Sequence, residues 1–240
     1  AGDAVTTGSD NTLVGDNAGG AITTGGDNTA IGSGALATED GNGQNVAVGS
    51  AALATLNAGA DAGNVAVGYQ ALTAATTGVD NVAVGASAGD ALTTGDANTF
   101  VGDNAGGATT TADHNVAVGG NALLVNSTGA SNIAVGYNSL DANTTGSTNV
   151  GVGHYALSGN TTASHNTAVG NAALQTNSTG ASNTAVGSQA LNANTTASYN
   201  TAVGYQAGLA LTTGDRNVFV GNKAGDAATT AQYNIGIGND

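Results

Sequence analysis

The side chains able to do chemistry in this chain fall into a few recurrent patterns. Asn-x-Ser/Thr triplets begin at Asn126, Asn143, Asn160, Asn177 and Asn194, one every seventeen residues, and each is an acceptor for an N-linked glycan in a chain that meets a suitable secretory machinery. Glycans rooted about 4.8 Å apart would collide, so the same residues also read as an amide ladder on an exposed edge. Glu39, Asp40 and Asp61 gather carboxylates around a two-residue insertion, where a protruding loop could bind Ca2+ through carboxylate and carbonyl oxygens. A lateral contact in a fibre and a plain solvated loop are the other readings of that segment. His114, His154 and His165 have no metal-ligand spacing. Catalysis finds no support, for there is no Cys, no nucleophile with a matching His and acid, and no phosphate loop opening a helix. The chain is expected not to be an enzyme.

Charge and composition limit the partners. Sixteen acidic residues face two basic ones, Arg216 and Lys223, for a net charge of −14, which argues against nucleic acid because phosphate binding needs clustered cations. No run of about eighteen apolar residues is present to span a membrane. With 40 Gly, 3% aromatic residues and no Pro, Cys, Met or Trp, buried area must come from Ala, Val and Leu. A first segment of Ala-Gly-Asp is compatible with a mature form from which a signal peptide was removed, and the expected location is extracellular or at a cell surface.

All these residues are positioned by a seventeen-residue repeat. Asn opens it at positions 11, 28, 45, 64, 81, 98, 115, 132, 149, 166, 183, 200, 217 and 234, with a single nineteen-residue interval from Asn45. The pattern is N-[TVI]-A-[VI]-G-x-x-A-[LG]-x-x-x-T-T-G-x-x. Seventeen residues are too few for two helices and a turn, and Gly with β-branched residues disfavours helix. The expected fold is all-β, a parallel β-solenoid (β-roll) of about fourteen 17-residue coils, uncapped at both ends. Positions two and four should lie on one strand face and stack as a dry Val stripe, while Asn stacks on Asn. Position nine is Leu in eight coils and Gly in six; four of the six carry Val5, Ile22, Leu92 or Leu211 at position twelve, so one core slot is filled from either of two places. Residues 1–240 form one solenoid, with irregular coils at 37–63. Coils about 4.8 Å apart would stack into a rod of roughly 65 Å.

The pentads Asn64-Val65-Ala66-Val67-Gly68 and Asn183-Thr184-Ala185-Val186-Gly187, each followed by Ala at position eight, resemble the head-domain repeats of trimeric autotransporter adhesins and related repeats of phage tail fibres. The resemblance implies a rigid surface β-roll that binds a host or neighbouring-cell surface. Neither a neck nor a heptad stalk accompanies the repeats here. The paired Thr at positions thirteen and fourteen, with Ser replacing the first in places, recur in twelve coils, and stacked Thr on a flat face resembles an ice-binding surface. A solvent-facing β-surface is the plain reading of the same residues. Tyr69, Tyr137 and Tyr205 share position six, and Phe100 and Phe219 share position three; both sets read as lateral packing points or as isolated surface aromatics.

Residues 1–10 match positions eight to seventeen of a coil and residues 234–240 match positions one to seven. Joined between copies they make one complete coil, which suggests head-to-tail polymerisation by strand addition. The expected interface comprises Asn234, Ile235, Ile237 and Asp240 on one copy and Ala1, Ala4, Val5, Thr6 and Thr7 on the next, with Ile235, Ile237, Ala4 and Val5 closing the shared core. Arg216 and Lys223 facing Asp3 and Asp10 would help set its polarity. The functional expectation is a structural subunit of an extracellular filament; the alternatives are a segment of a trimeric adhesin or phage fibre and an ice-binding solenoid.

Overall fold

The computed structural model describes residues 1–39, 41–59 and 61–239. The chain is an all-β parallel solenoid whose coils repeat about every seventeen residues, with no helix among the described residues. Each coil contributes one three-residue strand: β1 Thr12–Val14, β2 Thr29–Ile31, β3 Val46–Val48, β4 Val65–Val67, β5 Val82–Val84, β6 Thr99–Val101, β7 Val116–Val118, β8 Ile133–Val135, β9 Val150–Val152, β10 Thr167–Val169, β11 Thr184–Val186, β12 Thr201–Val203, β13 Val218–Val220 and β14 Ile235–Ile237. Two compact units divide the chain, Ala1–Ala117 and Val118–Asp240. Within the first, β1 to β6 pair in sequence order, all parallel. Within the second, β8 to β14 do the same.

The register places like on like. Val65, Ala66 and Val67 of β4 face Val82, Ala83 and Val84 of β5. The nineteen-residue interval leaves this intact, since Val46 still pairs with Val65 and its two extra residues are absorbed outside the strand. Backbone bonds between coils are not confined to the strands: Leu36 N–H donates to Ala52 O at 3.0 Å, Thr93 N–H to Thr110 O at 2.8 Å and Gln70 N–H to Ser50 O at 2.9 Å. Turns therefore stack as regularly as strands, and buried backbone groups in them find partners one coil away.

Asn at position one decides which face of each strand points inward. In coil 81–97 the Asn81 side chain donates to Gly95 O at 2.8 Å, closing the coil on itself, while its Oδ1 accepts the Asn98 N–H at 2.9 Å. The same relay runs from Asn166 through Asn183 and Asn200 to Asn217. An inward position one puts position three inward by strand alternation, and positions two and four outward. Ala30, Ala47, Ala66, Ala83 and Phe100 accordingly have 0% exposure. The expected dry Val stripe is thus corrected: Val84, Val186 and Val203, at 37–38% exposure, and Ile133, at 40%, lie on the outer surface.

The core is Ala and Leu at positions eight and nine with a variable third member. Phe100 and Phe219 belong to it, at 0% and 3% exposure, and are not the surface aromatics expected from sequence. They stand in the two Gly-type coils that lack an aliphatic at position twelve. A Cβ on Gly106 would lie 2.5 Å from Phe100 Cε1, so the ring fills the space that Leu takes elsewhere. The core slot is therefore filled from three positions, three, nine or twelve, and no Gly-type coil is left hollow. Gly at position five has a different cause. Gly15 has φ +128°, and a Cβ there would sit 2.7 Å from the Gly32 carbonyl oxygen of the next coil, a clash no side chain avoids.

Candidate functional site

Because the interior of each coil is filled, candidate chemistry lies on the outer columns and at the terminal coils. The glycosylation candidates prove to be interior. Asn126, Asn143, Asn160, Asn177 and Asn194 all have 0% exposure. Asn160 Nδ2 donates to Asn143 Oδ1 at 2.8 Å and to Ala163 O at 3.0 Å, and Asn177 repeats the arrangement on Asn160 at 3.0 Å. The amide ladder exists, but inside the coil and not on an exposed edge, so the folded chain presents no glycan acceptor there. Five neutral amides share one column because each satisfies the next, as buried polar groups require.

The two Thr columns have different fates. At position thirteen the hydroxyls are tied to backbone: Thr93 Oγ1 donates to Thr110 O at 3.0 Å, Thr144 Oγ1 to Thr161 O at 2.9 Å and Thr212 Oγ1 to Thr229 O at 3.0 Å. At position fourteen Thr94, Thr145, Thr162 and Thr213 are exposed. One column of the pair faces water.

Of the carboxylates near the insertion, Glu39 and Asp61 accept hydrogen bonds from different donors. Glu39 occupies position twelve, in the column of Ile22 and Leu56, with 0% exposure; its Oε1 accepts from Asn42 N–H at 3.1 Å and Asn42 Nδ2 at 2.9 Å, and Oε2 is buried without a partner. Asp61 is exposed and accepts from Gly43 N–H and Gln44 Nε2, both at 3.0 Å. Asp40 lies outside the described residues. No group of three or more His, Asp or Glu that could hold a metal occurs among the described residues.

At the terminal coils, Asn234 N–H donates to Asn217 Oδ1 at 3.1 Å, continuing the relay. Ile235 and Ile237 are 76% exposed and lie on the outward face of β14, with Gly236 at the inward position; this corrects the expectation that they close a shared core. A shallow hollow lined by Ala224, Gly225, Gly236 and Gly238 opens beside them. Val5 shares the core column of Ile22, Ala4 is half-buried, and Thr6 Oγ1 donates to Thr23 O at 3.0 Å beside exposed Thr7. The Ala1 amine lies 3.6 Å from Asp3 Oδ1, Asp10 is exposed, and Asp240 is outside the described residues. Arg216 stacks between Tyr199 and Tyr233, 5.1 and 5.6 Å from the ring centroids, a cation–π sandwich that sequence reading missed although all three share position seventeen. Lys223 is half-buried at position seven.

Two carboxyls are electrostatically perturbed. Burial pushes Asp90 above the ordinary value of 3.8, against hydrogen bonds from Ser87, its own backbone and Ala91. Burial does the same at Asp141, against backbone bonds at Asp141 and Ala142. Asp90 belongs to the first compact unit and Asp141 to the second.

Tyr69, Tyr137 and Tyr205 are exposed at 58%, 49% and 50%. Only Tyr137 has aromatic company, stacked on His154 at 5.5 Å and meeting Tyr155 edge-on at 6.1 Å. No family model, no curated protein and no solved structure matches the chain.

Proposed function

We propose that the chain is a structural subunit of an extracellular or cell-surface filament, in which copies associate by adding coil to coil. The observation that carries this reading is that the contact between successive coils is the same, in register, at step after step: the Asn relay, the position-two N–H to position-one carbonyl bond, and the stacked turns. A coil of one copy meeting a coil of another would reuse that contact without a new interface. β14, paired through β13 in the same parallel register as every earlier step of its unit, supplies the strand edge for the addition. Such a head-to-tail contact does not close on itself and so grows a fibre.

Electron microscopy and sedimentation of the purified 240-residue chain test the reading. Long unbranched fibres are expected, and Ile235→Pro should abolish them, because Pro at an edge strand is tolerated but removes the N–H that the next coil would accept. A chain that stays monomeric at high concentration, or fibres indifferent to Ile235→Pro, would overturn it.

The outward Val, Ile and Thr of the strands favour a second reading, side-by-side association as in the trimeric adhesin and phage-fibre repeats that the pentads resemble. Apolar sheet faces of this kind gain by mutual burial. A defined three-chain species in sedimentation, dispersed by Val84→Lys with Val186→Lys, would select this reading over end-to-end growth.

A further inference from the structure

We propose that the outer turns of residues 120–171 carry a binding site for a neutral sugar ring, centred on Tyr137. This stands apart from the assembly reading, since it concerns a solvent-facing turn column and not the strand edges.

Position six carries three Tyr, and two of them stand alone: Tyr69 lies in sequence register between Ser50 and Ala86, and Tyr205 between Ser188 and Asn222. Around Tyr137 the column is built differently. On one side the His154 ring stacks at 5.5 Å with a 21° interplanar angle, and Tyr155 meets His154 edge-on at 4.1 Å. Tyr137 is thereby held in one orientation, which lowers the ordering cost of any ligand it receives. On the other side stands Gly120, the single glycine among the fourteen position-six residues. A Cβ there would already lie 3.5 Å from Tyr137 Cδ2, so the missing side chain is what uncovers the ring. A flat ring laid over Gly120 would extend the stack at the coil spacing of about 4.8 Å.

The rim selects the class of ring. Asn121 Nδ2 donates to Asn138 Oδ1 at 3.2 Å. That leaves the Asn121 oxygen and the Asn138 Nδ2 as an acceptor and a donor with no partner among the described residues. On the far side, Asn171 Nδ2 meets His154 Nδ1 at 3.4 Å. An apolar face bordered by neutral amides matches a pyranose, whose axial C–H face stacks on an aromatic ring while its equatorial hydroxyls hydrogen-bond at the edge. A nucleotide would bring phosphate to a chain of charge −14. A purely apolar partner would leave the amides unpaired.

The test uses the full chain with triacetylchitotriose and cellotetraose as probes, followed by saturation-transfer NMR and calorimetry. Saturation of the sugar ring C–H protons is expected with at least one probe. Affinity should fall at least tenfold in Tyr137→Ala and in Gly120→Tyr, which fills the open slot with a residue that position six accepts in three other coils. Tyr69→Ala should bind as the parent does. Binding of neither sugar, binding unchanged by Tyr137→Ala and Gly120→Tyr, or an equal loss in Tyr69→Ala would overturn the proposal. Because the readout is sugar contact and not fibre length, its failure is distinguishable from failure of the assembly reading.

Discussion

The shared core slot makes a quantitative prediction at Phe100 and Gly106. Phe100 is fully buried, so Phe100→Ala should cost about 3–5 kcal/mol, the range for emptying a packed aromatic site. Gly106→Leu alone should also destabilise. Its Cβ would begin 2.5 Å from Phe100 Cε1, and overpacking costs about 1–3 kcal/mol. The two changes together convert residues 98–114 to the Leu-type coil found eight times in the chain. The backbone already suits it: Gly106 has φ +63°, and Leu at the equivalent position lies between 49° and 56° throughout. The left-handed Leu carries about 1–2 kcal/mol of strain, so the double variant should fall within about 2 kcal/mol of the parent. The coupling energy of the cycle should then be at least about 2 kcal/mol, toward the upper end for contacting residues. Urea denaturation gives the cycle, and hydrogen exchange at the Thr99 and Gly102 amides, which bond to Asn115 O and Val84 O, reports on the coil itself. If the two single effects simply add, the three-position slot is wrong.

Other outcomes follow from the same columns. Asn160→Ala removes donors from Asn143 Oδ1 and Ala163 O and an acceptor from Asn177 Nδ2; each buried group left unpaired costs about 1–3 kcal/mol, seen as a lowered melting temperature. Glu39→Leu replaces a carboxyl that has one unpartnered buried oxygen by the residue type of its column neighbour Leu56, and should raise stability by about 1 kcal/mol in urea denaturation. Asp90 and Asp141 are raised above the ordinary value by burial, so their contribution favours folding below the unfolded value of 3.8 and is lost as pH rises through the folded value. Asp90→Asn and Asp141→Asn should therefore stabilise at pH 7, with the advantage vanishing as pH falls to 3; melting curves across that range check the sign.

The solenoid was legible because its period, its invariant Gly and its repeated Asn are all consequences of stacking, and stacking is visible as recurrence. The phase of the strand was not. Val and Ile are the residues expected inside, and alternation alone allows either face; Asn81 decides it, because an amide that must reach both Gly95 O and the Asn98 N–H can only point inward. Composition therefore misled where a polar residue set the geometry. The same logic hid the position-twelve Asn, which looks like a surface residue one amide at a time and is an interior one as a ladder. Phe100 was misplaced for a related reason: its partner is an absence, Gly106, and a missing side chain is read as space only once the coil has closed around it. The Tyr137 stack was half visible, as Tyr at position six, but the parts of His154, Tyr155 and Gly120 need the column and not the line of sequence.

Register in steps of one coil also bears on how such a gene can change. Within Val118–Asp240 the column pairs Leu157 with Leu174 and Leu191, Asn160 with Asn177 and Asn194, and Thr167 with Thr184. Excising seventeen residues there would bring together side chains that already match, and duplicating seventeen would do the same. Recombination that kept the seventeen-residue period would thus yield a foldable chain each time, whereas a loss of sixteen would put a position-seventeen residue such as Ser182 or Tyr199, and a loss of eighteen a position-two residue such as Thr184 or Val218, where Asn must be. Length can drift by whole coils without repacking the interior, so selection on reach is separable from selection on fold.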